Sequence, residues 1–139
     1  VSANAASSNG GGLYNTGAGA IVTVTNNSLI TDNTAVKGGG IFNESGSRLL
    51  LNASSVLSNT ARDNGGGINT DSSSVITVNG STLTFNRAGG LGGGGAIYSA
   101  GPLTITSSSL ISNTAAGYGG PGRQRGAGGG RNPPSRRFG

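Results

Sequence analysis

The sequence contains no cysteine, histidine, tryptophan or methionine. Without cysteine, neither a disulfide framework nor a thiolate metal site can form. Without histidine, the chain lacks the side chain that most often serves as general base and as zinc ligand. Charged residues make up 9% and aromatic residues 4% of the 139 positions, so recognition by charge and a large aromatic core are both short of material. No run approaches the roughly 20 apolar residues of a membrane-spanning helix. The opening Val1-Ser2-Ala3-Asn4 has neither an initiator methionine nor a basic n-region, which predicts that the natural start lies elsewhere.

The net charge of +5 is a property of one end. Residues 1–116 set Lys37, Arg48, Arg62 and Arg87 against Asp32, Glu44, Asp63 and Asp71, which cancel. The excess comes from Arg123, Arg125, Arg131, Arg136 and Arg137. The body is therefore neutral and carries no electrostatic footprint for nucleic acid.

What the chain has in abundance is glycine, 29 residues of it, beside a hydrophobic share of 32%. Such a composition by itself suggests low complexity or disorder, and periodicity overturns that. A glycine run followed by an aliphatic recurs at Gly10-Gly11-Gly12-Leu13, Gly38-Gly39-Gly40-Ile41, Gly65-Gly66-Gly67-Ile68 and Gly94-Gly95-Ala96-Ile97, with the aliphatics 28, 27 and 29 residues apart. Asn-x-Ala recurs at Asn4, Asn33, Asn59, Asn86 and Asn113, at intervals of 29, 26, 27 and 27. Two independent motifs share one period, so the chain is a repeat.

Between these motifs lie apolar pairs at strand period: Val22/Val24, Leu49/Leu51, Ile76/Val78 and Leu103/Ile105. A further aliphatic (Ile30, Val56, Leu83, Leu110) sits three residues before each asparagine from Asn33 onward. One period thus reads as three short extended segments separated by Gly, Ser and Asn turns. Nothing has an apolar face at helical spacing. Three strands per 27 or so residues is the geometry of one coil of a parallel solenoid, stacked on the next at about 4.8 Å. Equivalent residues then form columns, with the glycines at tight corners. The asparagines at 4, 33, 59, 86 and 113 would form a ladder of side-chain amides. A second column is expected at Asn26, Asn52 and Asn79, completed by Thr106.

Gly-Gly-[Gly/Ala]-Ile followed by aliphatic-x-x-Asn resembles the paired repeat of polymorphic outer-membrane proteins, which are autotransporter adhesins. It is also similar to right-handed β-helix repeats of large bacterial extracellular proteins in the pectate-lyase-like superfamily. Gly94-Gly95-Ala96-Ile97 fits the first motif best. The adhesins usually begin their second motif with Phe, where this chain has Ile30, Val56, Leu83 and Leu110, which favours the broader β-helix group. The resemblance spans residues 1–116. It implies an all-β, right-handed parallel β-helix solenoid of about four coils, cut from a longer solenoid on the cell exterior or outer-membrane surface. The right-handed rule for parallel crossovers agrees.

Function is less legible, because this fold hosts adhesins, lyases and hydrolases alike. Glu44 and Asp71 each fall three residues after a motif aliphatic and should stack on adjacent coils, where they are a candidate calcium pair or a pair of surface residues relieved by solvent and Arg48. Calcium wants about six to eight oxygens, and no third acid joins them. Asp32 and Asp63 flank the Asn-x-Ala bend at different offsets, and nothing sets the roughly 5 to 9.5 Å separation of a glycosidase pair. No catalytic constellation and no cofactor are expected. The glycine runs lack the Gly-Lys-Ser/Thr of a phosphate loop. Tyr14, Phe42 and Tyr98 follow the motif aliphatics and would either stack on sugar rings or pack on one another. Four Asn-x-Ser sequons start at Asn26, Asn43, Asn52 and Asn79, largely as a by-product of the repeat.

The leading expectation is a structural or adhesive segment whose partners are a carbohydrate or a host or neighbour cell surface, together with flanking coils of a parent protein. The alternative is a piece of a carbohydrate-active lyase or hydrolase. An ice-binding surface would need a regular threonine array, and Thr23/Thr25, Thr77 and Thr104/Thr106 are irregular. From residue 117 the pattern fails: Gly119-Gly120 begin the motif and Arg-, Gly- and Pro-rich sequence follows. Residues 117–139 are expected to be a disordered tail, and a reading frame slipped after Gly120 accounts for its composition; a linker or an RNA-binding tail are the other readings.

Overall fold

The apolar pairs at strand period become strands because alternation lets each bury one side chain in two against the coils above and below. The computed structural model describes residues 1–116 together with Gly126–Ala127. The first coil carries β1 (Leu13–Thr16), β2 (Ile21–Val24), β3 (Leu29–Thr31) and β4 (Thr34–Ala35). The second carries β5 (Ile41–Glu44), β6 (Arg48–Asn52), β7 (Ser55–Leu57) and β8 (Thr60–Ala61). The third carries β9 (Ile68–Thr70), β10 (Val75–Asn79), β11 (Thr82–Thr84) and β12 (Arg87–Ala88). The fourth carries β13 (Ile97–Ser99), β14 (Leu103–Thr106), β15 (Ser109–Ile111) and β16 (Thr114–Ala115). Equivalent strands pair in parallel from coil to coil and build four sheets, so residues 1–116 are a parallel β-solenoid. Of the expected disordered tail, β17 (Gly126–Ala127) runs antiparallel beside β13; the rest lies outside the described residues.

Each coil has four strands, one more than the three expected from the alternation. The extra strand is the pair after the repeat asparagine, whose single inward residue is Ala35, Ala61, Ala88 or Ala115. Two residues are too few to show a period, which is why it is invisible in the sequence.

The columns fall in register. Leu13, Ile41, Ile68 and Ile97 align, as do Ile30, Val56, Leu83 and Leu110. Val22/Val24 continue into Leu49/Leu51, Ile76/Val78 and Leu103/Ile105. Ile41, Leu49, Val56, Ile68, Ile76, Val78 and Leu83 are fully buried, while the end-coil members Leu13, Val22, Leu103, Ile105 and Leu110 are only partly covered. A solenoid seals a coil only when it has neighbours on both sides. Each fully buried aliphatic contributes about 1.5–3 kcal/mol.

The glycine corner closes the coil. A Cβ at Gly66 would lie 2.5 Å from the backbone N, C and O of Arg87, so the corner and the two-residue strand run back to back with no room for a side chain. The preceding Gly65 takes φ +65, the left-handed region that glycine occupies at little cost. Length varies before this corner, from 8 residues between Asn33 and Ile41 to 11 between Asn86 and Ile97, and in the turns after the first and second strands as well. The fourth coil spends residues 89–95 on a loop that holds Leu91 81% exposed.

Candidate functional site

The most developed polar structure is the asparagine ladder at the bend between the third and fourth strands of each coil. Nδ2 of Asn4, Asn33, Asn59 and Asn86 donates to Oδ1 of the next asparagine at 2.9–3.0 Å. The backbone N–H of each donates to the same oxygen at 3.0–3.1 Å. The second amide hydrogen goes back to a carbonyl of the preceding coil, from Asn59 to Ile30, from Asn86 to Val56 and from Asn113 to Leu83. Asn33, Asn59 and Asn86 are fully buried, and all four hydrogen-bonding positions of Asn59 and Asn86 are filled. A buried amide is tolerable only when satisfied in this way.

The second column differs from its expected membership. Val24 pairs with Leu51, so Thr25, and not Asn26, falls beside Asn52. The first coil has one extra residue at this corner, absorbed by Asn26 and Asn27, both at φ 59. The ladder that forms is short and exposed: Asn79 Nδ2 donates to Asn52 Oδ1 and Thr106 Oγ1 to Asn79 Oδ1, each at 2.9 Å. Beside it, the backbone N–H groups of Ser54 and Ser81 donate to the hydroxyls of Ser81 and Ser108.

Sequence reasoning missed a third ladder, inside the first sheet. Asn15 Nδ2 donates to Asn43 Oδ1 at 2.7 Å, and Asn43 Nδ2 to Thr70 Oγ1 at 3.1 Å; all three residues are buried. Ser47 Oγ donates to Asn43 Oδ1 at 2.8 Å. Its signal was present: each member lies two residues after a motif aliphatic and shares its inward face. The Asn43 sequon is sequestered in this ladder, whereas Asn26, Asn52 and Asn79 are exposed.

On the outward face of the same sheet the register is Tyr14, Phe42, Asn69, Tyr98. Tyr14 and Phe42 pack with ring centroids 5.6 Å apart at 40°. Tyr14 is 53% exposed, Phe42 is 5% exposed and Tyr98 is half-buried. Asn69 is buried between Phe42 and Tyr98, and its Nδ2 has no hydrogen-bond partner among the described residues.

The acids each have a local partner. Glu44 Oε1 accepts from the Tyr14 hydroxyl, and this bond, with burial and the carboxylate's charge, holds the Tyr14 pKa above its ordinary value. Asp71 accepts from the Ser45 N–H at 2.9 Å and from the N–H and hydroxyl of Ser73. Burial pushes the Asp71 carboxyl up, and these hydrogen bonds outweigh it and hold the pKa below the usual range. The candidate calcium pair thus occupies neighbouring coils, with Glu44 engaged toward the first coil and Asp71 both by the Ser45 N–H of the second coil and by Ser73 of its own turn. Asp32 accepts from Thr31, and Asp63 pairs with Lys37 at 3.9 Å. Among the described residues no three acids cluster, and no helix is long and apolar enough to cross a membrane.

Comparison with protein-family models, curated proteins and solved structures found no match.

Proposed function

We propose that residues 1–116 form a structural or adhesive segment of a secreted or surface-exposed bacterial protein, a rigid neutral stalk that presents its outward face and loops to a surface or glycan. The observation that supports this best is where the polar side chains go. The buried asparagines bind coil to coil in ladders, and each of the four acids accepts from, or pairs with, a neighbouring side chain. An exterior of balanced charge remains, with Tyr14 and Tyr98 on one sheet face. Three coil steps separate them, about 14 Å at the strand spacing of a sheet. The motif's likeness to autotransporter adhesins and other extracellular β-helix repeats points the same way.

A glycan-binding screen of the full chain tests the reading. Loss of affinity on the order of tenfold, about 1.4 kcal/mol, is expected for Tyr14→Ala or Tyr98→Ala. If no glycan or cell surface binds, the adhesive half of the reading fails. Polyuronate lyase or glycoside hydrolase turnover that disappears in Asp71→Ala would replace it with a carbohydrate-active enzyme.

A further inference from the structure

In a solenoid each coil is a control for the others. A place that small residues fill in most coils does not need a large or charged one for folding. Three departures from the repeat meet on the exterior of the fourth sheet. The residue before each ladder asparagine takes the left-handed backbone, at φ 54, 56, 53, 58 and 55 for Ala3, Asp32, Ser58, Phe85 and Ser112. The bend imposes that conformation, in which a bulky aromatic is an outlier. Phe85 adopts it nonetheless and stands 64% exposed, although its strand has a neighbour on both sides.

Two residues on, Arg87 takes the outward place that Thr34, Thr60 and Thr114 hold in the other coils. Beside it on the second coil is Arg62, over which the third coil sets Gly89, whose N–H donates to Ala61 O. The two arginines lie one coil step and two residues apart, about 8 Å between Cα atoms at sheet spacings. Both are exposed, and among the described residues neither pairs with an acid. From Ala88 the chain enters a connection that spends 11 residues between Asn86 and Ile97, where Asn33 to Ile41 takes 8. Its segment Gly89-Gly90-Leu91-Gly92-Gly93 has one side chain in five positions, and that one is 81% exposed. Gly90 and Gly92 sit so close to Asp63 and Asn64 that a Cβ on either would collide with a side-chain oxygen. The glycines seat the loop against the second coil, and Leu91 stands out from it. Leu91 and Phe85 are the two most exposed large apolar side chains among the described residues, and Arg87 lies between them in the chain.

Protruding apolar side chains set among guanidinium and hydroxyl groups suit the headgroup layer of a bilayer, with apolar tips at the acyl boundary and cations at the phosphates. A glycan could use the ring of Phe85 but gains no stacking face from the aliphatic Leu91. A protein partner would want a contiguous apolar centre, which Arg87 interrupts. We propose that this edge of the third coil binds an anionic lipid bilayer, with Phe85 and Leu91 inserted and Arg62 and Arg87 on lipid phosphates, a step that rests on reading the segment as one that presents its loops to a surface.

The chain has no tryptophan, so a single introduced one reports its own surroundings. In the full chain, Phe85→Trp and Leu91→Trp should each shift to the blue, and be quenched by brominated acyl chains, when mixed phosphatidylglycerol and phosphatidylcholine vesicles are added. Ile21→Trp, on the second sheet and 62% exposed, should do neither. Vesicle sedimentation gives the affinities. Phe85→Ser restores the residue of the neighbouring coils, so it should keep the wild-type circular dichroism and urea midpoint, or raise the midpoint, while binding falls about tenfold or more. Arg87→Thr restores the repeat in the same way and should weaken binding about fivefold on anionic vesicles, with no effect on phosphatidylcholine alone. The five arginines from Arg123 onward attract anionic vesicles by charge, and that attraction needs neither Phe85 nor Leu91. Vesicle binding with no tryptophan response at 85 and 91, or undiminished in Phe85→Ser, therefore overturns the proposal. So does a chain that binds no vesicles. A glycan that binds wild type and is lost in Phe85→Ser, with no vesicle response, refutes the lipid assignment while the surface reading stands.

Discussion

Replacing Asn59 with alanine isolates what one rung of the buried ladder contributes. The Asn59 side chain makes four hydrogen bonds: Oδ1 accepts from the N–H and Nδ2 of Asn33, and Nδ2 donates to Asn86 Oδ1 and Ile30 O, all at 3.0 Å. After truncation the two carbonyl acceptors are not orphaned. Asn86 Oδ1 still receives the Asn59 N–H, and Ile30 lies in a paired strand. The two Asn33 donors are left bare in a fully buried site. Each unsatisfied buried group costs about 1–3 kcal/mol, so Asn59→Ala should destabilise by about 4 kcal/mol, a large share of the roughly 5–15 kcal/mol available to a domain. Asn52→Ala is the control. It removes one exposed ladder bond, from Asn79 Nδ2, and should fall within about 0.5 kcal/mol of wild type. Urea denaturation followed by circular dichroism measures both, with the midpoint shift converted through the slope. If Asn59→Ala costs no more than Asn52→Ala, the ladder is a consequence of the coil geometry and not a source of its stability.

Asn59→Asp keeps the shape but sets a carboxylate against Asn86 Oδ1 and Ile30 O; its folded pKa rises above the ordinary value near 3.9, so its defect should be largest at neutral pH and shrink as pH falls through that raised pKa, as pH-dependent urea melts would show. Asp71, whose pKa is lowered, behaves oppositely: its contribution is present above about pH 4 and lost as pH falls below it, so wild type and Asp71→Asn should converge in acid. Gly66→Ala drives a Cβ to 2.5 Å from the Arg87 backbone and should prevent the third coil from closing, seen as loss of soluble folded protein. Gly17→Ala, with φ +109 but nothing within 4 Å, should cost only conformational strain of about 1–3 kcal/mol in the same melts. Leu83→Ala, at a fully buried column position, should cost about 2–5 kcal/mol, and Leu110→Ala in the half-covered end coil clearly less.

The period, the aliphatic columns and the asparagine ladder could all be read from the sequence, for one physical reason. In a solenoid, a residue's neighbours across the sheet are its equivalents one period away, so a contact map collapses onto a spacing. Leu13, Ile41, Ile68 and Ile97 had to align once the repeat was found. The tertiary structure decided what happens within a coil. The fourth strand has a single inward alanine and leaves no periodic trace. The corner at Asn26 and Asn27 takes up an extra residue through two left-handed backbone conformations, which moves Thr25 into the place expected for Asn26. Tyr14 and Phe42 occupy the same column, yet one is exposed and the other buried, because Tyr14 stands on the end coil with no neighbour before it. The partners of Glu44 and Asp71 were likewise set by where Tyr14, Ser45 and Ser73 stand around them. Spacing fixes which residues stack, whereas turn geometry and coil ends fix which way each side chain reaches and how much water it meets.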